Sequence, residues 1–143
     1  MFECLKRLFK KKKEKTPYIP LYRNTYQDTT REIIGEINLL RKNKLKECAD
    51  RLVFDQSYGH SEWMYKNNIF SHENFGKRNA VITENTKYTA VGENLARNLK
   101  EPNKVVNAWY HSDTHRDIML NETYSEVSIA ICENFTTALF LKQ

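Results

Sequence analysis

Chain-breaking residues are scarce: 4 Gly and 3 Pro in 143 residues. That scarcity argues against a disordered chain and against an all-β chain with many tight turns. Cysteine is nearly as rare. Cys4, Cys48 and Cys132 are odd in number and far apart, so they form neither a CxxC metal knuckle nor an evident disulfide framework. Cys48 and Cys132 read as small buried hydrophobes, and three thiols without a framework fit a reducing compartment. No run approaches the ~18–20 apolar residues of a membrane span. The opening MFECLKRLFKKKK has neither an unbroken apolar stretch nor a small-residue cleavage site, so it does not read as a secretory signal. The expected location is therefore cytoplasmic or peripheral at a membrane surface. The length suits one domain, large enough to bury a core without a disulfide or metal.

The net charge of +5 is unevenly placed. Residues 1–15 hold seven cations (Lys6, Arg7, Lys10 to Lys13 and Lys15) against Glu3 and Glu14, and the rest of the chain balances sixteen against sixteen. A basic patch on the fold itself, the mark of a nucleic-acid-binding domain, is missing, so no nucleic acid is expected as a partner. Within the tail, Phe2, Leu5, Leu8 and Phe9 fall at helical spacing between the cations. That pattern suits a basic amphipathic helix on an anionic membrane surface or in a partner groove, and equally a plain solubilising terminus. Pro17 and Pro20 close the segment. Residues 1–25 are accordingly tail and linker, and 26–143 the domain.

Thr29 and Glu32 form a capping-box pair opening a helix whose apolar face is Ile33, Ile34, Ile37, Leu40 and Leu45, ended by Asn43 and Lys44. A second helix starts with Asp50 as its N-cap and runs to about Asn67. Leu52, Val53, Tyr58 or Gly59, Trp63 and Met64 face the core, and Gly59 permits close approach. Glu73 to Lys87 is polar and aperiodic, which predicts a long loop of the kind that rims a site. Tyr88 to Arg97 reads as a strand. Pro102 opens a short helix with Val105, Val106 and Trp109 on one face, and Ser112 or Asp113 caps a further turn. Residues 126–132 and 136–142 form a final hairpin around Glu133, Asn134 and Phe135. Helices followed by a hairpin give an α+β order with helices covering the sheet.

The four histidines carry the chemistry in view: His60, His72, His111 and His115. His111 and His115 are spaced i, i+4, which on an unbroken helix aims both rings at one metal. Ser112, Asp113 and Thr114 read as a cap between them and set that pairing in doubt. His60 reads as a packed mid-helix side chain, Asn94 as a loop anchor, Arg116 and Asp117 as pins for the turn after His115, and Trp63 and Trp109 as core aromatics.

Three words occur in order: Asn67 to His72 (NNIFSH), Val91 to Ala96 (VGENLA) and Ala108 to Asn121 (AWYHSDTHRDIMLN). Together they resemble the CAP superfamily, the group of cysteine-rich secretory proteins, antigen 5 and pathogenesis-related proteins, also called SCP domains. The likeness is to its short bacterial branch and spans roughly Ile33 to Leu141. It implies an α-β-α sandwich with a small antiparallel sheet near 88–97, 126–133 and 136–142. It also implies a cleft of His72, Glu93 and His115, with Ser112 where eukaryotic members carry a second acid. Two departures stand out: Ser128 and Ala130 replace the Gly-x-Gly of the penultimate strand, and the disulfides of secreted relatives are absent.

Two imidazoles and a carboxylate are a sufficient ligand set for an open Zn²⁺ site, with His72, His115 and Glu93 as ligands and a position left for water. The bland alternative is a buried hydrogen-bonded cluster that ties loop, strand and turn together. The expectation is a non-catalytic binding module whose cleft takes a divalent metal, a lipid or a peptide. Two other readings stand beside it: a metal-dependent, peptidase-like hydrolase with His72, Glu93 and His115 as its catalytic candidates, and an accessory protein recruited to a surface by its tail. A Ser112-based nucleophile triad is the weakest of the catalytic readings, because no strand-to-helix elbow surrounds Ser112.

Overall fold

The computed structural model describes residues 21–143, so the expectations for the basic tail, Cys4, Pro17 and Pro20 lie outside the described residues. The elements are α1 (Leu21–Leu40), β1 (Lys46–Glu47), α2 (Arg51–Asn67), α3 (Phe75–Asn85), β2 (Ala90–Arg97), α4 (Pro102–Tyr110), α5 (Asp113–Met119), β3 (Glu126–Cys132) and β4 (Phe135–Lys142). The strands form one sheet in the order β1-β3-β4-β2, antiparallel except for the parallel β1–β3 pair.

Alternation along the strands splits the core into two layers. Ile33, Ile37, Val105, Val106, Trp109 and Met119 of α1, α4 and α5 pack on the face that carries Val127, Ile129, Ala138 and Phe140. Val53 and Met64 of α2 and Ile82 of α3 cover the other face, with Val91, Leu95, Leu139 and Leu141. The result is the expected α-β-α sandwich.

Several local expectations needed correction. Neither proline nor glycine interrupts 21–29, so α1 starts at Leu21, crosses the boundary drawn at 25/26, and holds Thr29 and Glu32 inside the helix where they cannot cap it. Leu40 is largely exposed, whereas Leu45 is buried. Asp50 does cap α2, accepting from the Leu52 and Val53 amides. Gly59, however, is exposed with open space around it. Close approach of α2 to the sheet comes instead from two serines. Ser57 Oγ lies 2.9 Å from Ser128 Oγ, and Ser61 Oγ lies 2.8 Å from Thr137 Oγ1 and donates to the Ala130 carbonyl. The two positions that depart from the family's glycines are thus where α2 seats on β3.

The largest correction is α3, which replaces the predicted loop over Glu73–Lys87. Its inward positions are Ile82 and Arg78, with Phe75 half-buried. Where an apolar residue would have revealed the helical period, the chain has an arginine.

Both described cysteines are buried free thiols, as expected. Cys48 Sγ sits 3.3 Å from the Tyr88 hydroxyl, and burial pushes the Cys48 thiol up, away from thiolate.

A second buried arginine closes the fold. Arg41, 3% exposed, donates to the carbonyls of Asn43, Met119, Asn121 and Tyr124, tying the end of α1 to the α5–β3 connection. Its removal leaves several carbonyls without their donor, each costing about 1–3 kcal/mol when water cannot replace it. Arg41→Ala should therefore lose at least about 3 kcal/mol in urea unfolding. Lys104→Ala, which breaks only an exposed pair with Glu101, should lose less than about 1 kcal/mol.

Candidate functional site

β2 is an edge strand whose neighbouring residues look into different layers. Glu93 faces α2 and α3, while Asn94 faces α5, where its Nδ2 donates to the His115 carbonyl at 2.9 Å. Two rings from opposite layers therefore meet over this edge. His72 comes from the α2–α3 loop and His115 from α5, with ring centroids 6.5 Å apart and planes inclined by 33°.

The loop that presents His72 is held at several points. Asn68 and Asn74, at its two ends, adopt left-handed backbone (φ 50° and 60°), a conformation asparagine tolerates better than most residues. Between them, His60 Nε2 lies 2.8 Å from the Ser71 carbonyl, which makes that nitrogen the protonated donor. Burial, reinforced by the Arg78 charge, holds the His60 imidazole below its usual range. His60 is thus a neutral strut next to the site, stacked on Trp63. Arg116 reaches back across the α4–α5 turn, bonding Asp113 and the Tyr110 carbonyl, so it ties the turn before His115 and not the one after it.

Glu93 is the centre of the site, its side chain 1% exposed against 51% for His72. His72 Nδ1 lies 2.9 Å from Oε1. Arg78 grips both oxygens, Nη2 at 2.8 Å from Oε1 and Nε at 2.8 Å from Oε2. Its remaining nitrogen, Nη1, donates to the Glu73 carbonyl. Arg78 is the residue the sequence reading missed. The visible signal was its place six residues after His72, in a stretch whose lack of apolar periodicity argued for a loop.

The other candidates fall into place around this centre. His111 ends α4 and stands edge-on to Tyr110 rather than joining His72, so the i, i+4 pair is broken at the Ser112 cap. Ser112 takes the N-cap position of α5 without a side-chain cap bond. Trp109 is core, its indole donating to the Leu95 carbonyl at 2.8 Å. The cavity of about 430 Å³ between Tyr26, Ile33, Tyr65 and Leu99 includes none of the histidines in its lining; the His72 side chain is instead half exposed at the surface.

The three-ligand metal set does not match this arrangement. Glu93 would have to release Arg78 or His72 to bind an ion, and among the described residues no three His, Cys, Asp or Glu side chains converge as ligands. Two imidazoles with Glu93 behind one of them remain as a smaller donor set, of the kind in which a carboxylate orients a ligating histidine.

Acid should loosen the fold through His60 and His115. Burial lowers both, and His72 adds to the effect at His115. The unfolded chain then takes up protons first, so their contribution to stability is complete above ~6.5 and is lost as pH falls below that through the folded-state values. Melting temperature should drop from pH 7.5 to 5, with a shallower slope in His60→Gln.

The comparisons with known proteins agree with this fold. The Cysteine-rich secretory protein family model, CAP, matches residues 40–140. The membrane protein YlbC of Bacillus subtilis, described as uncharacterized, is 29% identical over 121 residues, 79% of this chain and 34% of that protein. The chain thus spans about a third of the length of the curated relatives it matches. An SCP-domain extracellular protein from Bacillus anthracis superposes with a TM-score of 0.66 at 27% identity, covering 79% of this chain and 40% of that one. An outer surface protein of Borrelia burgdorferi gives 0.67 at 22% identity, covering 82% and 95%, a likeness of fold. Among the described residues no helix is long and apolar enough to cross a membrane. On a family match that covers most of its length, joined to the sandwich that the match implies, the chain belongs to the cysteine-rich secretory protein (CAP) family.

Proposed function

We propose that this domain is a non-catalytic binding module whose cleft receives its ligand at His72 and His115. The observation that carries this reading is the engagement of Glu93. A general base needs an oxygen open to substrate or water, and both oxygens of Glu93 are held by Arg78, with His72 on one of them. That weighs against the hydrolase alternative. His72 keeps Nε2 clear of Glu93, so a neutral His72 offers a lone pair beside the His115 ring. A divalent ion of the zinc type suits such donors and, when bound, would supply a Lewis-acid anchor for a lipid or peptide oxygen. Glu93 would orient His72 from behind.

Calorimetric titration with Zn²⁺ tests the site. Saturable binding is expected near neutral pH, weaker by at least about tenfold in His72→Ala. It should also weaken in acid once the buried His115 ring, held below the usual imidazole range, takes up its proton, because a protonated ring cannot ligate. Equal binding by wild type and His72→Ala would send the ion to His60 or His111 and end this reading.

The placement of charge supports a second role, recruitment to a surface. All of the +5 resides in residues 1–15, beside the apolar set Phe2, Leu5, Leu8 and Phe9. Each cation near an anionic leaflet contributes roughly 1 kcal/mol, and the attraction is screened by salt. The protein should co-sediment with phosphatidylserine vesicles at low salt, and a chain starting at Thr16 should not. Equal sedimentation of both would leave the tail a solubilising arm.

A further inference from the structure

We propose that the cavity of about 430 Å³ beside the β3–β4 turn is a second binding site, suited to an apolar zwitterion: an amino acid or a short peptide. It shares no residue with the histidine cleft and stands independently of it. Its volume falls in the range of ~300–1,000 Å³ typical of small-molecule sites. Ile33 and Ile131, both buried, and half-buried Leu99 give it an apolar lining drawn from α1, β3 and the β2–α4 connection. Tyr26 and Tyr65 each add an aromatic body with a polar tip. Burial, then the Glu133 charge, raises the Tyr26 hydroxyl above its usual range, so it stays neutral.

The site is held ready. The Asn98 amide donates to the Asn134 carbonyl at 2.8 Å, and Asn134 Nδ2 donates to Asn98 Oδ1 at 2.6 Å. These bonds stitch the connection that carries Leu99 and Lys100 to the turn that carries Glu133. Glu133, between the end of β3 and Asn134, has left-handed backbone at φ 53°. Glycine adopts that conformation freely, whereas in glutamate it is strained, and strain kept in this way concentrates at binding sites. Charge then selects the ligand. Lys100 and Glu133 place one charge of each sign in the lining, and among the described residues neither joins a salt bridge. A fatty acid would meet the cation but also the acid. A molecule with an ammonium, a carboxylate and an apolar side chain matches Glu133, Lys100 and the isoleucines together.

The test is calorimetric titration of the full chain with L-leucine and with leucyl-leucine. Saturable binding of at least one is expected, and binding of neither overturns the proposal. The N-acetylated forms, which lack the ammonium, should bind at least about threefold more weakly, the scale of an exposed ion pair. Lys100→Met should weaken the free forms by a similar factor. Glu133→Gly should do the same while melting no lower than wild type, because glycine relieves the backbone. That separation of affinity from stability is what a merely structural glutamate would not show. Acetylated forms bound as tightly as free ones, or wild-type affinity in Lys100→Met or Glu133→Gly, overturns the proposal. Should Glu133→Gly melt lower, Glu133→Asn, which tolerates left-handed backbone, carries the same expectation and the same overturning result.

Discussion

A carboxylate with 1% exposure persists only with a counter-charge, and Glu93 has one in Arg78. Taking both charges out of water is offset when the geometry is good and the remaining polar atoms are satisfied. Here the bidentate contact, the His72 nitrogen and the Glu73 carbonyl meet those conditions together. The pair fixes the start of α3 against β2. That in turn fixes the loop ahead of α3 and the ring it carries. Without the pair, the groove would keep its histidines but not their orientation.

The same strand organises the rest. β2 lies at the sheet's edge, so successive side chains reach separate helical layers over a short distance. Glu93 orders the layer of α2 and α3, and Asn94 orders α5 through the His115 backbone. Gly92, next along, admits Tyr124: a methyl group there would lie 2.7 Å from its hydroxyl. Three consecutive residues, Gly92, Glu93 and Asn94, thus seat three parts of the molecule.

Much of this could be read from the chain. Asp50 as a cap, Val105, Val106 and Trp109 on one helical face, and the final hairpin all follow from local patterns that tertiary structure did not override. His72, Glu93 and His115 were visible only through three short words in order, because no spacing rule brings residues from a loop, a strand and a helix together. The structure unites them. The failures share a cause. α3 was hidden because its inward face holds Arg78, and the seat of α2 was hidden because it uses Ser57 and Ser61, residues that a hydrophobic pattern counts as outward. Polar groups turned inward are invisible to periodicity until their partners are known, and the partners here are 15 to 76 residues away.

The indole of Trp109 on the Leu95 carbonyl has a consequence for the domain's life among other copies. An edge strand with bare carbonyls invites a neighbouring chain to add a strand, the first step toward intermolecular sheets. β2 is such an edge, rich in apolar residues, yet Val91 to Ala96 are all buried beneath the segments that build the groove. The site's scaffold therefore doubles as a sheath against self-association. A lesion that loosens the groove would be seen in turbidity as well as in ligand occupancy.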